Sequence, residues 1–97
     1  MTKTKKKLDS TQTKNKVIFT LEALEDYQSW NDAPKKMQRI KELIKDALRC
    51  PHSGIGKPEK LCGDLRGYYS RRIDQTHRLV YTFDNGDLVI VMARYHY

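Results

Sequence analysis

The sequence contains 97 residues, of which 38% are hydrophobic and 32% charged, and its formal net charge is +7 at pH 7. This length predicts a single domain that buries roughly 60–65% of the surface exposed by its unfolded chain. No stretch approaches the ~20 apolar residues of a membrane-spanning helix, and no apolar segment follows the basic N-terminus as in a secretory signal. We therefore expect a cytoplasmic protein whose two cysteines, Cys50 and Cys62, are reduced thiols.

The first fifteen residues differ from the rest of the chain. They hold five lysines and one aspartate, and they supply more than half of the net charge. Met1 and Leu8 are their only large apolar side chains, so burial cannot offset the entropy of folding. We predict a disordered arm over residues 1–15, either solvated or a non-specific binder of phosphate groups, and a folded domain over residues 16–97.

A strand and a helix are predicted at the start of the folded domain. Residues 16–20, "KVIFT", form a β-branched apolar run that is typical of a strand. Thr20 is the predicted N-cap of a helix that follows over residues 21–30. Apolar side chains recur there every three positions and predict its buried face: Leu21, Leu24, Tyr27 and Trp30.

A longer helix is predicted from Pro34 to about Arg49. Asp32 as N-cap and a proline in the first turn favour that start, and Cys50 before a proline favours that end. The predicted buried stripe consists of apolar residues at helical spacing: Met37, Ile40, Ile44, Ala47 and Leu48.

The second half of the sequence changes from loop to strand patterns. Residues 51–67 are rich in glycine and proline, which predicts a loop. The period of hydrophobicity is then two, which predicts three strands: 68–74, 78–84 and 87–97. Asn85 and Gly86 predict a two-residue hairpin turn between the last two. The predicted fold class is α+β, with the order β-α-α-β-β-β and both helices on one face of an antiparallel sheet.

The other face of that sheet is predicted to be open. The more apolar set of the middle strand should face the helices: Leu79, Tyr81 and Phe83. In the last strand, alternation directs one set to the helices: Val89, Val91, Ala93 and Tyr95. It directs the other set to the open face: Leu88, Ile90, Met92, Arg94 and His96. Arg72, Arg78 and His96 are therefore expected together on the open face.

These residues favour a particular reaction class. A metal-free ribonuclease needs a base for the ribose 2′-hydroxyl, a cation for the phosphorane-like charge and an acid for the departing 5′-oxygen. Glu59 in the loop, the open-face arginines and His96 supply such groups, without a cofactor. Two-metal chemistry needs clustered carboxylates, and none is predicted on the open face. His52 and His77 are interpreted as solvated residues of a loop and a turn.

Three blocks of the sequence resemble a known family. "GKPEKL", "LRGYYSRRIDQTHRLVY" and the closing "ARYHY" are similar, in order and spacing, to the YoeB (Txe) branch of the RelE-type toxins. The resemblance covers residues 16–97 and leaves the N-terminal arm without a counterpart. It implies a RelE-like microbial ribonuclease fold and a type II toxin that inhibits translation.

The resemblance also implies an activity and its partners. Toxins of this family are ribosome-dependent, metal-free endoribonucleases that cut mRNA in the ribosomal A site and leave a 2′,3′-cyclic phosphate. The implied partners are a YefM-like antitoxin, mRNA and the ribosome with its rRNA, while formation of a homodimer stays open.

Motif positions carry the family's site residues over to this chain. The resemblance implies three catalytic residues: Glu59 (general base), Arg78 (transition-state stabiliser) and His96 (general acid). The substrate-binding candidates are Arg72, Tyr97, Lys57, Lys60 and Arg71. Family members often have a basic residue at the position of Cys62, which puts one phosphate contact in doubt.

Two other functions stay open at this point. A RelE-like module without catalytic activity would use the tyrosines of the sheet to stack RNA bases, or would only bind the antitoxin. A DNA-binding repressor is less favoured. The more basic helix, predicted from Pro34 to about Arg49, has an apolar stripe that packs in the core, and it shows no helix-turn-helix signal. The presence of a base, an arginine and an acid favours the enzyme.

Overall fold

The computed structural model describes residues 16–95 of the chain. The predicted N-terminal arm and the roles predicted for His96 and Tyr97 fall outside the described residues. The helices and strands have these bounds: β1 Val17–Phe19, α1 Leu21–Gln28, α2 Pro34–Arg49, β2 Glu59–Lys60, β3 Tyr69–Arg72, β4 Arg78–Asp84 and β5 Asp87–Met92. Within the described range, neither helix is long and apolar enough to cross a membrane.

The strands form one sheet in the order β1-β5-β4-β3-β2. Strands β2 to β5 pair antiparallel, as predicted, whereas β1 pairs with β5 in parallel. The prediction of a wholly antiparallel sheet is wrong at this edge, because the two helices carry the chain across one face before it enters the later strands. The short strand β2 lies within the segment predicted as a loop. The α+β class with both helices on one face is confirmed.

The ends of the helices follow local signals, with one exception. The Thr20 side chain accepts a hydrogen bond of 3.1 Å from the backbone N–H of Ala23, which confirms the predicted cap of α1. The second helix has Pro34 in its first turn, as predicted. Its cap residue is Ala33, which has no polar side-chain atom for a cap hydrogen bond, and Asp32 belongs to the turn after α1. The predicted cap at Asp32 is therefore wrong.

The first helix buries only part of its predicted face, because Tyr27 and Trp30 pack in the core but Leu21 does not. Ala23 and Trp30 are buried, whereas Leu21 is 71% exposed. The reason is a polar anchor: a side-chain oxygen of Asp26 accepts a hydrogen bond of 3.0 Å from the backbone N–H of Ala93. Because this bond turns the Asp26 side of the helix towards the sheet, Leu21 is turned towards solvent.

The buried stripe of the second helix departs from the prediction at Leu43 and Leu48. Leu43 is fully buried and takes the place predicted for Leu48, which is 39% exposed. Ile40 and Ala47 are buried as predicted. Asp46 is buried on the same side, where its carboxylate pairs with an arginine of β3 at 2.7 Å.

A β-bulge changes the faces of the last strand. Tyr81 pairs with Ile90 but Val80 pairs with Met92, so one residue of β5 has no partner on β4. Two residues predicted on the open face therefore belong to the core: Leu88 and Ile90. Beyond the bulge the predicted phase returns, and Ala93 packs in the core as predicted.

Both ends of β5 can be compared with the prediction. The strand follows Asn85 and Gly86, whose φ angles of 55° and 86° confirm the predicted hairpin turn. The strand ends at Met92, whereas the prediction extended it to residue 97. The backbone of Ala93 bonds to side chains at the end of α1, so it is not available for strand pairing there.

Candidate active site

The face of the sheet away from the helices carries three of the predicted site residues. The register aligns Glu59 on β2 with Ser70 on β3 and Val80 on β4, and the next row aligns Arg72 with Arg78. Cross-strand partners project from the same face, and residues two apart along a strand lie about 6.5–7 Å from each other on that face. Glu59, Arg72 and Arg78 therefore form one group, here named the open-face cluster.

A buried strip supports the open-face cluster. Val80 is fully buried although it lies outside the main core, and its neighbour Ser70 is buried as well. Glu59 and Arg72 are exposed, and Arg78 is half-buried. The charged groups thus stand at the edge of a water-poor surface, where a phosphate would interact with them more strongly than in bulk water.

The Arg78 side chain is held by the turn before β4. Its Nη1 donates hydrogen bonds to three backbone carbonyl oxygens, those of Asp74 (3.0 Å), Gln75 (3.3 Å) and His77 (3.2 Å). Within residues 16–95, Nε and Nη2 of Arg78 make no hydrogen bond. The guanidinium is therefore fixed on one side and keeps donors on the other, which suits a phosphate group.

The carboxylate of Asp74 fixes that turn. Its Oδ1 accepts hydrogen bonds from the backbone N–H groups of Thr76 (2.9 Å) and His77 (2.7 Å), and its Oδ2 pairs with Nζ of Lys36 at 3.1 Å. Burial opposes its ionisation, but the two N–H groups and Lys36 prevail and lower the pKa of Asp74 to about 2. Asp74 is therefore charged at neutral pH and keeps the turn in place for Arg78.

Arg71 was a substrate-binding candidate, and the structure corrects this prediction. Its side chain is fully buried on the helix side of the sheet. Its five N–H groups bond to acceptors inside the protein: Tyr81 Oη (2.9 Å), Asp46 Oδ2 (2.7 Å), and the carbonyl oxygens of Ile55 (3.0 Å), Cys50 (2.5 Å) and Ser53 (2.9 Å). No donor of Arg71 is left for a substrate, because a buried guanidinium needs every one of them satisfied.

These bonds fix the loop that leads to Glu59. The backbone N–H of Ile55 donates to Asp46 at 2.9 Å, and this bond, together with Arg71, lowers the pKa of the Asp46 carboxyl. Gly54 has a φ of 113°, and a Cβ there would lie 1.9 Å from an Asp46 oxygen. The loop thus depends on a glycine at this position and on the Asp46–Arg71 pair.

The Asp46–Arg71 pair escaped the sequence-based prediction, although the sequence contains a signal for it. Asp46 follows Leu43 by three positions and precedes Ala47, so it lies within an apolar stripe. Arg71 shares the inward phase of its strand with Tyr69. One acidic and one basic residue at inward positions indicate a buried ion pair.

The two lysines beside Glu59 lie in different places. Lys60 pairs with Tyr69 and so belongs to the opposite face of β2 from Glu59. Lys57 is exposed and has a φ of 51°, so it turns the chain towards the strand. Cys62 is an exposed free thiol nearby. In the described part of the chain, no three side chains of the kinds that bind metals lie together.

The chain segment after β5 is bound by the end of α1 and by the turn before β4. Trp30 Nε1 donates a hydrogen bond of 2.8 Å to the carbonyl oxygen of Ala93. His77 Nδ1 is hydrogen-bonded to the carbonyl oxygen of Arg94, and the backbone N–H of Arg78 donates to Tyr95 at 3.2 Å. The chain therefore reaches residue 95 next to the backbone of Arg78.

Two side chains of this region have other positions than predicted. The guanidinium of Arg94, predicted on the open face, lies 4.1 Å from the centre of the Trp30 ring and bonds to Ser29 at 2.9 Å. His77, interpreted as a solvated residue, packs edge-on against Trp30 with ring centres 4.9 Å apart. Neither contact follows from periodicity, because each joins segments far apart in the sequence.

Comparisons with known proteins agree with this architecture. Residues 19–97 match a family model described as "YoeB-like toxin of bacterial type II toxin-antitoxin system". Toxin YoeB of Streptomyces coelicolor is 54% identical over 83 residues, which is 84% of this chain and 99% of that protein. A heterotetrameric YoeB–YefM toxin–antitoxin complex from Staphylococcus aureus matches with a TM-score of 0.77 and 46% identity, over 84% of this chain and 95% of that one. A YoeB dimer from the same organism matches with a TM-score of 0.79 and 44% identity, over 88% and 100%.

Proposed function

This chain belongs to the YoeB-like toxins of bacterial type II toxin–antitoxin systems, and from that premise we propose that it is a ribosome-dependent endoribonuclease. It cleaves mRNA in the ribosomal A site without a metal ion and so stops translation. The observation that carries the proposal is the strand register, which brings a carboxylate and two arginines together on one open face.

The proposed reaction uses the open-face cluster and the end of the chain. Glu59 takes the proton of a ribose 2′-hydroxyl, and the 2′-oxygen attacks the adjacent phosphorus. Nε and Nη2 of Arg78, with Arg72 beside them, stabilise the negative charge that builds up on the phosphoryl oxygens. His96 donates a proton to the departing 5′-oxygen, which leaves a 2′,3′-cyclic phosphate on one fragment and a 5′-hydroxyl on the other.

The remaining site residues position the substrate in this proposal. Tyr97 packs against a base next to the scissile phosphate, and Lys57 and Lys60 attract the RNA backbone. The hydrogen bond between Arg78 and Tyr95 supports the roles of His96 and Tyr97, since it brings the chain to the cluster just before these residues in the sequence.

The proposed partner is a YefM-like antitoxin. The match with a toxin–antitoxin complex of two named partners supports this, and the match with a YoeB dimer supports self-association of the free toxin. Excess positive charge on the chain is consistent with RNA and rRNA as further partners.

Mapping of mRNA ends on purified ribosomes tests the proposed reaction. Glu59→Gln and Arg78→Ala should each lower the cleavage rate by about 10²–10⁴-fold, the usual value of such groups. Lys45→Ala, which removes an exposed lysine of α2, serves as the matched control and should cleave at the parent rate. Phosphatase treatment and mass spectrometry should show a cyclic phosphate.

Three outcomes would overturn the proposal. Cleavage by Glu59→Gln at the parent rate would show that Glu59 is not the general base. Cleavage of free mRNA at the same rate as ribosome-bound mRNA would show that the reaction does not depend on the ribosome. A parent protein that occupies ribosomes and leaves the mRNA intact would indicate the binding-only module instead.

A further inference from the structure

A concave site lies at the edge of the sheet, between β2 and the loop after α2. It has a volume of about 480 Å³ and is lined by His52, Pro58, Glu59, Lys60 and Tyr69. Pockets that hold small ligands have volumes of roughly 300–1,000 Å³, so this one has room for a nucleotide. Glu59 is the residue that it shares with the open-face cluster.

The back wall of this pocket is a column of aromatic rings. The His52 ring lies 5.1 Å from that of Tyr69, and Tyr69 stacks on Tyr81 with 5.7 Å between ring centres and 19° between planes. Tyr81 is fully buried, whereas His52 is exposed. His52 is thus the exposed end of a row of rings that begins in the core, and its plane is tilted by 50° from that of Tyr69. An exposed aromatic ring held against a second ring is a platform for a nucleobase, because every base has a face that stacks on such a ring.

The charges of the pocket fit a phosphate. Lys60 pairs with Tyr69 across the strands, so its ammonium group belongs to the pocket side of β2 while Glu59 belongs to the open face. Lys60 and His52 are both exposed, and Glu59 is the one carboxylate among the described lining residues. A strand of RNA that passes Glu59 would therefore meet a cation and an aromatic ring directly around the edge of the sheet.

We propose that this pocket binds the nucleotide next to the scissile phosphate, with its base stacked on His52 and its phosphate paired with Lys60. This proposal rests on the proposed ribonuclease function. It adds a site that would determine which nucleotide the enzyme accepts beside the cut. The ligand is a single-stranded nucleotide of the mRNA, because only the mRNA contains the scissile phosphate.

Cleavage kinetics on ribosomes test the subsite. Stacking of a base on a ring is worth about 5–150-fold in affinity, so His52→Ala should raise KM by about 10-fold while kcat changes less than about 2-fold. His52→Tyr keeps a stacking ring and should restore KM. Lys60→Ala should raise KM in the same way, and Lys45→Ala, on another part of the surface, should leave both constants unchanged.

Titration of the free, full-length protein with a short RNA gives a second readout. The RNA is a hexanucleotide with a 2′-deoxy sugar at the cleavage position, and NMR follows the ring signals of His52 and Tyr69. Saturable shifts that disappear in Lys60→Ala are expected. Variation of the mRNA nucleotide beside the cut should change the KM of the parent protein but not that of His52→Ala. If the variants instead bind ribosomes without mRNA more weakly and nucleotide identity has no effect, the pocket contacts rRNA and the proposal is wrong.

The results that overturn the subsite differ from those that overturn the reaction. If Glu59→Gln abolishes cleavage but His52→Ala and Lys60→Ala keep the parent KM and the ring signals do not shift, the subsite is wrong and the reaction stands. If both variants weaken only the binding of the acidic antitoxin segment, the pocket is a peptide site and the proposal is also wrong.

Discussion

Two consecutive arginines of β3 serve the two faces of the sheet in opposite ways. Arg71 points to the helix side, is 0% exposed, and has every N–H group bonded within the protein. Arg72 points to the open side, is exposed, and its guanidinium makes no hydrogen bond within residues 16–95. The same side chain is therefore a structural element at one position and a candidate ligand-binding group at the next.

The comparison also shows how one face supports the other. The three loop carbonyls bound by Arg71 precede Glu59 in the chain, and the backbone N–H of Arg72 donates to the carbonyl of Gly56 at 2.7 Å. The buried face thus fixes the loop from which the exposed carboxylate enters β2. Substitutions on the two faces should consequently separate stability from activity.

The largest expected effect on stability comes from Arg71. Arg71→Ala breaks the buried ion pair with Asp46, which keeps only its more exposed partner Arg49, and leaves three loop carbonyl groups without their donor; loss of one partner of a buried pair typically costs about 3–5 kcal/mol of unfolding free energy. Arg72→Ala is the matched control one position away, and it should change stability by less than about 0.5 kcal/mol. Urea denaturation of the two variants measures both values, and equal losses would contradict the division between the faces.

The same pair should show the reverse order in activity. Arg72→Ala should lower the rate of mRNA cleavage on ribosomes by about 10²-fold, because it removes a cation from the developing phosphoryl charge. Its urea midpoint should stay at the parent value. Arg72→Lys, which keeps the charge but not the planar fork, should recover only part of the rate. Full activity of Arg72→Ala would exclude it from the site.

A smaller effect is expected from the turn that holds Arg78. The folded-state pKa of Asp74 is lowered to about 2, so its ionised form stabilises the fold above the unfolded-state pKa near 3.8, and this contribution is lost as the pH falls towards 2. Asp74→Asn should therefore cost on the order of 1–2 kcal/mol at pH 7, after allowance for the partial exposure of the ion pair. The difference from the parent should shrink steadily between pH 4 and about 2. Urea midpoints across that range measure it, and a constant difference would contradict the assignment.

The smallest expected effect on stability concerns the segment after β5. Trp30→Phe keeps most of the packing but removes the hydrogen bond to Ala93, which should cost about 1 kcal/mol. Because that segment leads to the proposed general acid, the loss of cleavage rate, expressed as a free energy, should exceed the loss of unfolding free energy. Binding of the antitoxin should not change. A loss of stability without any loss of cleavage would show that Trp30 is a core residue only.

Local sequence signals predicted most of the elements correctly. Thr20 before a helix, Pro34 in a first turn and Asn85–Gly86 between two strands each act through neighbouring backbone groups, and all three are confirmed. Period-two alternation also placed Arg72 and Arg78 on the same face. This is correct because the pairing of β3 with β4 contains no register shift.

The faces of β5, the pairing of β1 and the role of Arg71 came only from the tertiary structure. The bulge opposite Val80 and Tyr81 reverses the alternation of the strand, and no residue type in the sequence marks it. The sequence by itself determined that β3 carries two adjacent arginines on opposite faces of the sheet. Because Arg71 and Arg72 are equally basic, both were substrate-binding candidates. Only the tertiary structure showed that Arg71 is withdrawn from the substrate, because a charge enters a core only where the fold brings a partner for every donor, here the distant Asp46 and three loop carbonyls.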